Sequence, residues 1–332
     1  MRKDTVLACG FFLACSLLIC GPARAEEAHY QPVIAGPWQE LFLPERSGTY
    51  INDHCVYQDP KGDWHLIGIT SMGKPRIGTN EKWFAHGVTS SLTTPMRELE
   101  PLFKGWPDDG QKWAPHTVWD GSTLHLFAGP GKIRHFTSRD GYSFEFAGYA
   151  IADRWRWLRD TMVLKMDDGS WLMYATDRVD KHDVVTAFRS MDLYHWEYAG
   201  VAFTATKPAP VWAPLPNSAC ESPFVIRMDD GYYLSVCLTN YPLNRDPSVY
   251  LNTLVFFSED PLDFGVYQAG WPDETARLVA RFDTHAAEYI LDPQGNWWIT
   301  CSGWLGWPRP KGCEGGQACI AELKWERIAS SR

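Results

Sequence analysis

The sequence repeats one short pattern five times: an apolar run rich in aromatic and β-branched residues, a turn such as Asp-Gly, and a second apolar run. The five copies cover residues 53–66, 115–127, 159–174, 221–234 and 287–299. Runs of this composition favour β-strands, and the residues between them favour tight hairpin turns. Each copy therefore predicts a β-hairpin, and the repeat constrains the chain to an all-β fold built from similar units.

A second repeated element follows most of the hairpins. It predicts a third strand that ends in Ser, a turn over Asp, and an aromatic residue that begins an outer strand, at residues 137–145, 188–197 and 257–264, with a weaker version at 89–92. Each unit then has four strands and recurs about every 45 to 65 residues, within the range of propeller blades. We therefore expect a five-bladed β-propeller, with four-stranded antiparallel blades around a central funnel.

Packing physics favours this arrangement over a sandwich. A single four-stranded blade cannot bury both of its faces, whereas blades stacked around an axis can, and radial closure leaves only short edges. No run of ten or more residues has helical periodicity, and residues 152–158, the nearest candidate, are predicted to form a loop. We expect one propeller domain over residues 26–332.

The aromatic residues, which include 17 Trp, divide into two sets. One set occupies repeated strand positions and is predicted to pack between blades: Trp64, Trp171, Tyr232 and Trp297. The other set lies off the repeat and is better suited to stacking on a ligand: Trp113, Trp155, Trp157, Trp212 and Trp304.

The first 25 residues have the pattern of an export signal. Arg2 and Lys3 precede a short apolar run, and Ala23 and Ala25 supply the small residues before a cleavage site. Lipidation at Cys20 is the weaker interpretation, because Ile19 is unfavourable before a modified Cys. We therefore expect a signal peptide over residues 1–25 and a periplasmic or extracellular protein in a bacterium.

The charge pattern narrows the class of partner. The chain has a formal net charge of −9 and no run of Lys or Arg, which argues against nucleic acid as a partner. Beyond the signal, no stretch approaches the roughly 18 uninterrupted apolar residues of a membrane span, so no membrane insertion of the mature chain is expected.

Of the six cysteines after residue 25, Cys313 and Cys319 are the favoured disulfide pair, since they are close in sequence.

The starts of the innermost strands carry the residues that could perform chemistry, because these strand ends converge on the funnel of a propeller. These positions hold Asp53, His116, Asp160, Glu221 and the pair His285 and Glu288. Asp53, Asp160 and Glu221 are predicted to occupy equivalent places in blades one, three and four. Cleavage of a glycosidic bond needs one carboxylic acid to protonate the leaving oxygen and a second carboxylate to activate water or attack carbon.

The order of these motifs resembles the five-bladed propeller glycoside hydrolases of family 43, with families 32 and 68 as neighbours. The motifs are Asp53 at the start of blade one, Trp113-Ala114-Pro115 in blade two, Arg159-Asp160 in blade three and Glu221-x-Pro223 in blade four. Asp53 is followed by His54, and Glu221 follows Cys220, so the Asp-Pro and Glu-Cys pairs of the fructosidases are absent. These departures favour a family 43-like or unassigned branch and leave the sugar open.

The resemblance implies roles for individual residues. Asp53 would be the base of an inverting enzyme or the nucleophile of a retaining one, Glu221 the general acid, and Asp160 the residue that positions substrate and modulates the acid. His285 resembles a fifth-blade histidine that faces the channel and helps to hold a metal or water. Trp113, His116, Arg159, Trp212 and His285 are the predicted substrate-binding residues. No cofactor is required, although a structural calcium or other ion in the channel is compatible with the resemblance.

The sequence thus predicts an exported glycosidase whose oligosaccharide or polysaccharide substrate contains an arabinoside, xyloside, galactoside or related sugar. Three alternatives remain open. The chain could be a carbohydrate-binding propeller without catalysis, a retaining fructosidase-like enzyme, or a glycosidase-like transferase or phosphorylase.

Overall fold

The structure is a computed structural model that describes residues 29–45, 49–71, 80–104, 110–152, 158–179, 182–205, 219–239, 251–267, 275–303, 310–313 and 315–328. Within these ranges every regular element is a β-strand and none is a helix. None of the described residues forms a helix long and apolar enough to cross a membrane. Residues 1–25, which carry the predicted export signal, lie outside the described residues.

The strands follow one another around a ring. In chain order they are β1 (His29–Ile34), β2 (Gln39–Phe42), β3 (His54–Gln58), β4 (Trp64–Thr70), β5 (Trp83–Thr89), β6 (Arg97–Glu98), β7 (Trp113–Trp119), β8 (Leu124–Gly129), β9 (Ile133–Ser138), β10 (Glu145–Ile151), β11 (Arg159–Lys165), β12 (Trp171–Val179), β13 (His182–Ser190), β14 (Glu197–Ala205), β15 (Ala219–Arg227), β16 (Tyr232–Thr239), β17 (Thr253–Ser258), β18 (Val266–Tyr267), β19 (Arg277–Phe282), β20 (Tyr289–Leu291), β21 (Trp297–Cys301) and β22 (Ala318–Ile328).

Five sheets define five blades, as predicted. Blades I, II and III are β3-β4-β5-β6, β7-β8-β9-β10 and β11-β12-β13-β14, each numbered from the innermost strand outward. Blade IV is β15-β16-β17-β19, and blade V is β20-β21-β22-β1 with β2 also paired to β22. Each of the five predicted hairpins forms the two innermost strands of one blade.

The fifth blade joins the two ends of the described chain. β1 pairs antiparallel with β22 from His29↔Ile328 to Ile34↔Leu323. The hairpin repeat did not predict this closure, because β1 carries no turn pattern and lies far from blade V in sequence. The pairing covers the outer edge of β22 and closes the ring by backbone hydrogen bonds.

Apolar side chains fill the spaces between neighbouring blades. Phe103, from the loop after blade I, stacks on Phe136 of blade II with ring centroids 4.2 Å apart, and both rings are buried. Trp64 and Trp171 are buried as predicted, whereas Tyr232 and Trp297 are half-buried. Interblade packing thus explains most, but not all, of the aromatic residues at repeated positions.

The predicted Ser-Asp turn forms in blades II and III with the same hydrogen bonds. The Ser138 hydroxyl accepts bonds from the amides of Asp140 and Gly141, and Asp140 Oδ1 accepts from Tyr142 and Ser143. In blade III, Ser190 and Asp192 form the equivalent turn before β14. Each turn delivers the chain to the outermost strand of its own blade, as expected.

The prediction was wrong for blade IV. Phe264 does not begin the outer strand there, because its amide donates to the Ala202 carbonyl of blade III at 2.7 Å and its ring is buried among residues of blades III and IV. The segment that follows Phe264 therefore lies beside blade III, where β18 pairs in parallel with β14. The outer strand of blade IV is instead β19.

Buried histidine pairs recur in blades I and II. His65 Nδ1 lies 2.8 Å from His86 Nε2, Asp59 faces the other ring nitrogen of His65 at 3.6 Å, and Tyr142 of the next blade packs edge-on. Blade II repeats the arrangement with Asp120, His125, His135 and Tyr194. The two clusters are part of the blade packing rather than of the funnel.

The cysteines behave as the spacing predicts. Cys313 and Cys319 form a disulfide, which ties the segment before β22 to the start of that strand. The other four described cysteines, Cys55, Cys220, Cys237 and Cys301, are free and buried.

Candidate active site

The innermost strands share a strained residue at the funnel. Ala114, Asp160, Ser222 and Ala286 have φ values of 42°, 54°, 53° and 48°, a region that costs free energy for residues other than glycine. The ladder register shifts at this point in β7, β11 and β15. A bulge of this kind bends the strand and re-aims its side chains, so the blades turn successive residues toward the axis.

This repeated conformation corrects the predicted alignment of the carboxylates. Asp160 is itself the left-handed residue of blade III, whereas Glu221 precedes the left-handed Ser222 of blade IV. Glu221 is therefore equivalent to Arg159, and Asp160 is equivalent to Ser222. The carboxylates of Asp160 and Glu221 therefore occupy successive rather than equivalent positions of their innermost strands.

All five blades contribute to one small pocket on the axis. Its polar lining includes Asp53, Asp160, Ser222 and Glu288. The remaining lining residues are His54, Ala114, Pro115, Thr161, Pro223 and Ala286. The structure thus places Asp53 and Asp160, two of the three predicted catalytic residues, in this pocket, while Glu221 lies next to the lining residue Ser222.

Hydrogen-bond donors surround the Asp53 carboxylate. The Ser222 hydroxyl donates to Oδ1, and the Asn52 side-chain amide donates to Oδ2 at 2.7 Å. Burial raises the pKa of Asp53, while the bond from Ser222 and the charge of Arg159 act in the opposite direction. Both oxygens therefore have a donor that favours the ionised carboxylate.

Asp160 is held by three groups. Its Oδ2 accepts from Thr176 Oγ1 at 3.0 Å and from the Ser222 amide at 3.3 Å, and lies 3.3 Å from Arg159 Nε. Burial raises the pKa of Asp160 to about 6, against the lowering effect of Arg159. These three contacts hold Oδ2 of the carboxylate in place.

Glu221 has the environment of a proton donor. Its Oε2 lies 3.3 Å from Arg159 Nη2, whereas Oε1 is buried and has no hydrogen-bond partner among the described residues. Burial, together with the charges of Asp160 and Asp53, raises the pKa of Glu221 to about 8 despite Arg159. Glu221 therefore retains its proton at neutral pH.

A fourth carboxyl group, Glu288, enters the pocket from blade V. Burial, reinforced by the charge of Asp53, raises its pKa well above the usual range. The sequence placed Glu288 beside His285 at an inner-strand start but gave it no role. Its position makes it a further group that a ligand in the pocket would meet.

The predicted binding residues separate into distinct environments. Arg159 bridges Asp160 and Glu221, so it holds the carboxylates. Trp113 packs against the core between blades I and II. His116 is buried and packs edge-on against the Phe224 ring, with centroids 6.1 Å apart, and burial lowers its pKa to about 4. Trp212 lies outside the described residues, as do Trp155, Trp157 and Trp304.

The contacts of His285 do not fit a metal site. Its Nδ1 lies 3.4 Å from Cys237 Sγ, and its Nε2 lies 3.1 Å from Asn52 Oδ1. In the part of the chain that the structure describes, no three His, Cys, Asp or Glu side chains are arranged to hold a metal. The channel ion and its ligation by His285 stay predictions, and no chemical step below uses them.

Two site residues were missed from the sequence. Ser222 bridges Asp53 and Asp160, and Asn52 holds Asp53 from the other side. Both stand directly beside residues that were singled out, and adjacency was the only signal available. The Ser222 contacts cross between blades, which no local pattern encodes, whereas Asn52 bonds to the next residue of its own loop.

Fold and pocket together define a five-bladed β-propeller with a carboxylate-rich funnel. The fold is similar to that of a thermostable family-43 glycoside hydrolase, at 17% identity and a TM-score of 0.58 over 87% of this chain and 93% of that one. An endo-arabinase from Bacteroides thetaiotaomicron VPI-5482 is similar at 15% identity and a TM-score of 0.60, covering 86% and 97%.

A sucrose-6-phosphate hydrolase from Lactobacillus gasseri is similar at 16% identity and a TM-score of 0.57, over 91% of this chain and 62% of that one. No protein-family model and no curated protein sequence matches the chain. At these identities the likeness establishes the propeller fold, and any activity has to be argued from the residues of the funnel.

Proposed function

We propose that the protein is a glycoside hydrolase in which Glu221 is the general acid and Asp53 the base or nucleophile. One observation carries the proposal: Asp53, whose two carboxylate oxygens each accept a hydrogen bond, lies in the funnel pocket, and the carboxyl group of Glu221, directly before the pocket residue Ser222, keeps its proton at neutral pH. Pairs of carboxyl groups whose environments separate their protonation states are suited to acid–base catalysis.

The proton transfers follow from these two environments. Glu221 gives its proton to the glycosidic oxygen as the bond to the anomeric carbon breaks. In the inverting case, Asp53 accepts a proton from the water that attacks the opposite face of the sugar; in the retaining case, Asp53 attacks directly and water releases the sugar in a second step. Asp160 supports the acid, because its negative charge disfavours ionisation of Glu221.

Arg159 opposes this effect of Asp160 on Glu221, because its positive charge lowers the pKa of both carboxyl groups. It contacts Asp160 through Nε and Glu221 through Nη2, each at 3.3 Å. After Glu221 has lost its proton, the same guanidinium stabilises the carboxylate that remains. Arg159 thereby supports both protonation states that the reaction cycle requires.

We further propose an arabinoside, xyloside, galactoside or related sugar as substrate, with a retaining fructosidase-like reaction as the alternative. Among the proteins of similar fold, one is named an endo-arabinase and another a sucrose-6-phosphate hydrolase. Export to the periplasm or the exterior is part of the proposal. The signal-like residues 1–25 support export, as does the Cys313–Cys319 disulfide, since disulfides persist in oxidising compartments.

The test is a screen of purified protein against arabinosides, xylosides, galactosides and fructosides, with the anomer of the product followed by NMR. We expect turnover of one class and a single product anomer, which distinguishes the inverting from the retaining reaction. Glu221→Gln and Asp53→Asn should each lower kcat by about 10²-fold or more, while Glu145→Gln, an exposed change, should leave it intact. Binding of a sugar without cleavage would instead identify a carbohydrate-binding propeller.

A further inference from the structure

Three buried side chains form a chain of hydrogen bonds that ends on Asp53. Cys237 Sγ of β16 lies 3.4 Å from His285 Nδ1, His285 Nε2 lies 3.1 Å from Asn52 Oδ1, and Asn52 Nδ2 lies 2.7 Å from Asp53 Oδ2. The chain crosses from blade IV through the loop before β20 to the loop before β3. Two of its three contacts join different pairs of blades, and the third joins adjacent residues of the loop before β3.

The direction of every bond follows from the Asp53 end. A carboxylate only accepts hydrogen bonds, so the Asn52 group that faces it must be the NH₂ and the group that faces His285 must be the carbonyl oxygen. That oxygen requires a proton on His285 Nε2, which leaves Nδ1 of the neutral ring as an acceptor for the Cys237 thiol. One orientation of the chain therefore satisfies all four residues, and it presents a donor to Asp53.

The chain of hydrogen bonds is shielded from solvent, and its members are held by backbone hydrogen bonds. Asn52, His285 and Cys237 are 2%, 2% and 1% exposed, so water does not compete for their bonds. The His285 amide donates to Cys301 Sγ, and the Ser302 amide donates to the His285 carbonyl. The Asn52 amide donates to the Ile69 carbonyl at 3.1 Å. Both middle members are thus held in place by their own main chains.

We propose that Asn52 and His285, assisted by Cys237, are positioning residues that orient the Asp53 carboxylate and stabilise its ionised form. This inference rests on the proposed function of Asp53 and deepens it. It replaces direct contact between His285 and a metal or substrate with action through Asn52. Both ring nitrogens of His285 take part in this chain of hydrogen bonds, so the ring connects Cys237 to Asn52.

Other charged groups also face Asp53 and set the background for the test. Arg159 lowers its pKa, and the carboxyl groups of Asp160, Glu221 and Glu288 lie close enough to interact with its charge. None of the variants below changes these four residues. A shift in the titration of Asp53 can therefore be assigned to the hydrogen-bond chain.

The experiment compares kinetics of four variants on the glycoside that the wild-type protein cleaves. Asn52→Ala removes the donor to Asp53, and His285→Phe preserves ring volume but removes the bond to Asn52. His285→Gln retains a side-chain N–H, and Thr253→Val is the matched control. Thr253 is equally buried and donates to the Thr284 carbonyl next to His285, so its loss tests general damage to this region.

We expect Asn52→Ala and His285→Phe to lower kcat about tenfold or more with little change in KM, because a misdirected base reacts slowly while the sugar still binds. The acidic limb of the pH profile should move upward by about half a unit or more, since Asp53 has lost a donor to its ionised form. His285→Gln should recover part of both effects, and Thr253→Val should match the wild-type kcat and acidic limb.

Unchanged kcat and acidic limb in Asn52→Ala and His285→Phe would overturn the inference. A ¹³C NMR titration of the Asp53 carboxyl, assigned with Asp53→Asn, provides a readout that needs no turnover. If the wild-type protein cleaves no glycoside, the proposed function fails; the chain itself is then judged by whether Asn52→Ala raises the Asp53 midpoint. An unchanged midpoint would refute the chain even in an active enzyme.

Discussion

The hydroxyl of Ser222 donates a hydrogen bond to the carboxylate of Asp53, although 169 positions separate the two residues. The same residue donates its backbone amide to Asp160 and stands next to Glu221 in the chain. Its left-handed backbone, with φ of 53°, is what turns the amide and hydroxyl toward different aspartates. Ser222 therefore links the two pocket carboxylates, Asp53 of blade I and Asp160 of blade III, and places its neighbour Glu221 of blade IV beside them.

Loss of the Ser222 hydroxyl should weaken catalysis through Asp53. We expect Ser222→Ala and Ser222→Gly both to lower kcat about tenfold and to move the acidic limb upward, because each removes a bond that lowers the Asp53 pKa. The glycine variant should be more stable than the alanine variant by about 1 kcal/mol, since glycine adopts a positive φ without strain. Thermal unfolding checks this order. Full activity in both variants would show that the hydroxyl does not serve Asp53.

The sequence predicted the blades and the main carboxylates because both depend on repeated local patterns. Asp53, Asp160 and Glu221 could be singled out since each opens an innermost strand, and the ring then brings them together. Two features of the fold could not be predicted in this way, because they depend on contacts between distant segments. One is the pairing of β1 with β22, and the other is the packing of Phe264 against residues of blade III. Ser222 was missed for the same reason, since Asp53 lies on another blade, and the bond from Asn52 to its neighbour Asp53 depends on a side-chain orientation that His285 of blade V helps to fix.

Neutralising Glu221 should stabilise the protein as the pH rises. The folded state raises the pKa of this carboxyl group from 4.5 to about 8, so the native protein holds its proton to higher pH than the unfolded chain does. The contribution to the free energy of unfolding is therefore complete below about pH 4.5 and is lost as the pH rises toward 8. We expect Glu221→Gln to flatten this decline and to be more stable than wild type by a few kcal/mol at pH 8.

Urea unfolding of both proteins between pH 5 and 8 measures this difference, with Glu145→Gln as the exposed control. Parallel pH profiles for wild type and Glu221→Gln would mean that the Glu221 carboxyl group ionises normally. The proposed assignment of Glu221 as the acid would then lose its physical basis.

Arg159 should be essential to the stability of the site as well as to its chemistry. Its side chain is 16% exposed and pairs with both Asp160 and Glu221. Replacing it with Met leaves the buried Asp160 carboxylate without its cation, and we expect a loss of about 3 kcal/mol in the free energy of unfolding at pH 7. Arg159→Lys should recover only part of this, because one ammonium cannot contact both carboxyl groups in the fork geometry of Arg.

Chemical denaturation at pH 7 and pH 5 separates the contributions of charge and packing. The deficit of Arg159→Met should shrink at pH 5, where Asp160, whose pKa is about 6, becomes protonated and needs no cation. A deficit that stays constant over this range would assign the loss to packing of the Arg159 stem.

The buried histidine pairs of blades I and II should make the propeller sensitive to acid. Burial lowers the pKa of His86 and of His135 to about 3, well below the 6.5 of an unfolded chain, so the unfolded state binds protons first as the pH falls. Stability is therefore complete above about pH 6.5 and declines between 6.5 and 3.

We expect the double variant His86→Gln/His135→Gln to lose less stability than wild type between pH 6.5 and 4, because glutamine can bond its partner histidine without taking up a proton. His195→Gln is the control, since His195 is 90% exposed on the surface. Thermal unfolding across this range provides the measurement, and the quantity compared among the three proteins is the slope of the unfolding temperature against pH. If the double variant declines as steeply as wild type, the acid sensitivity resides in groups other than these two pairs.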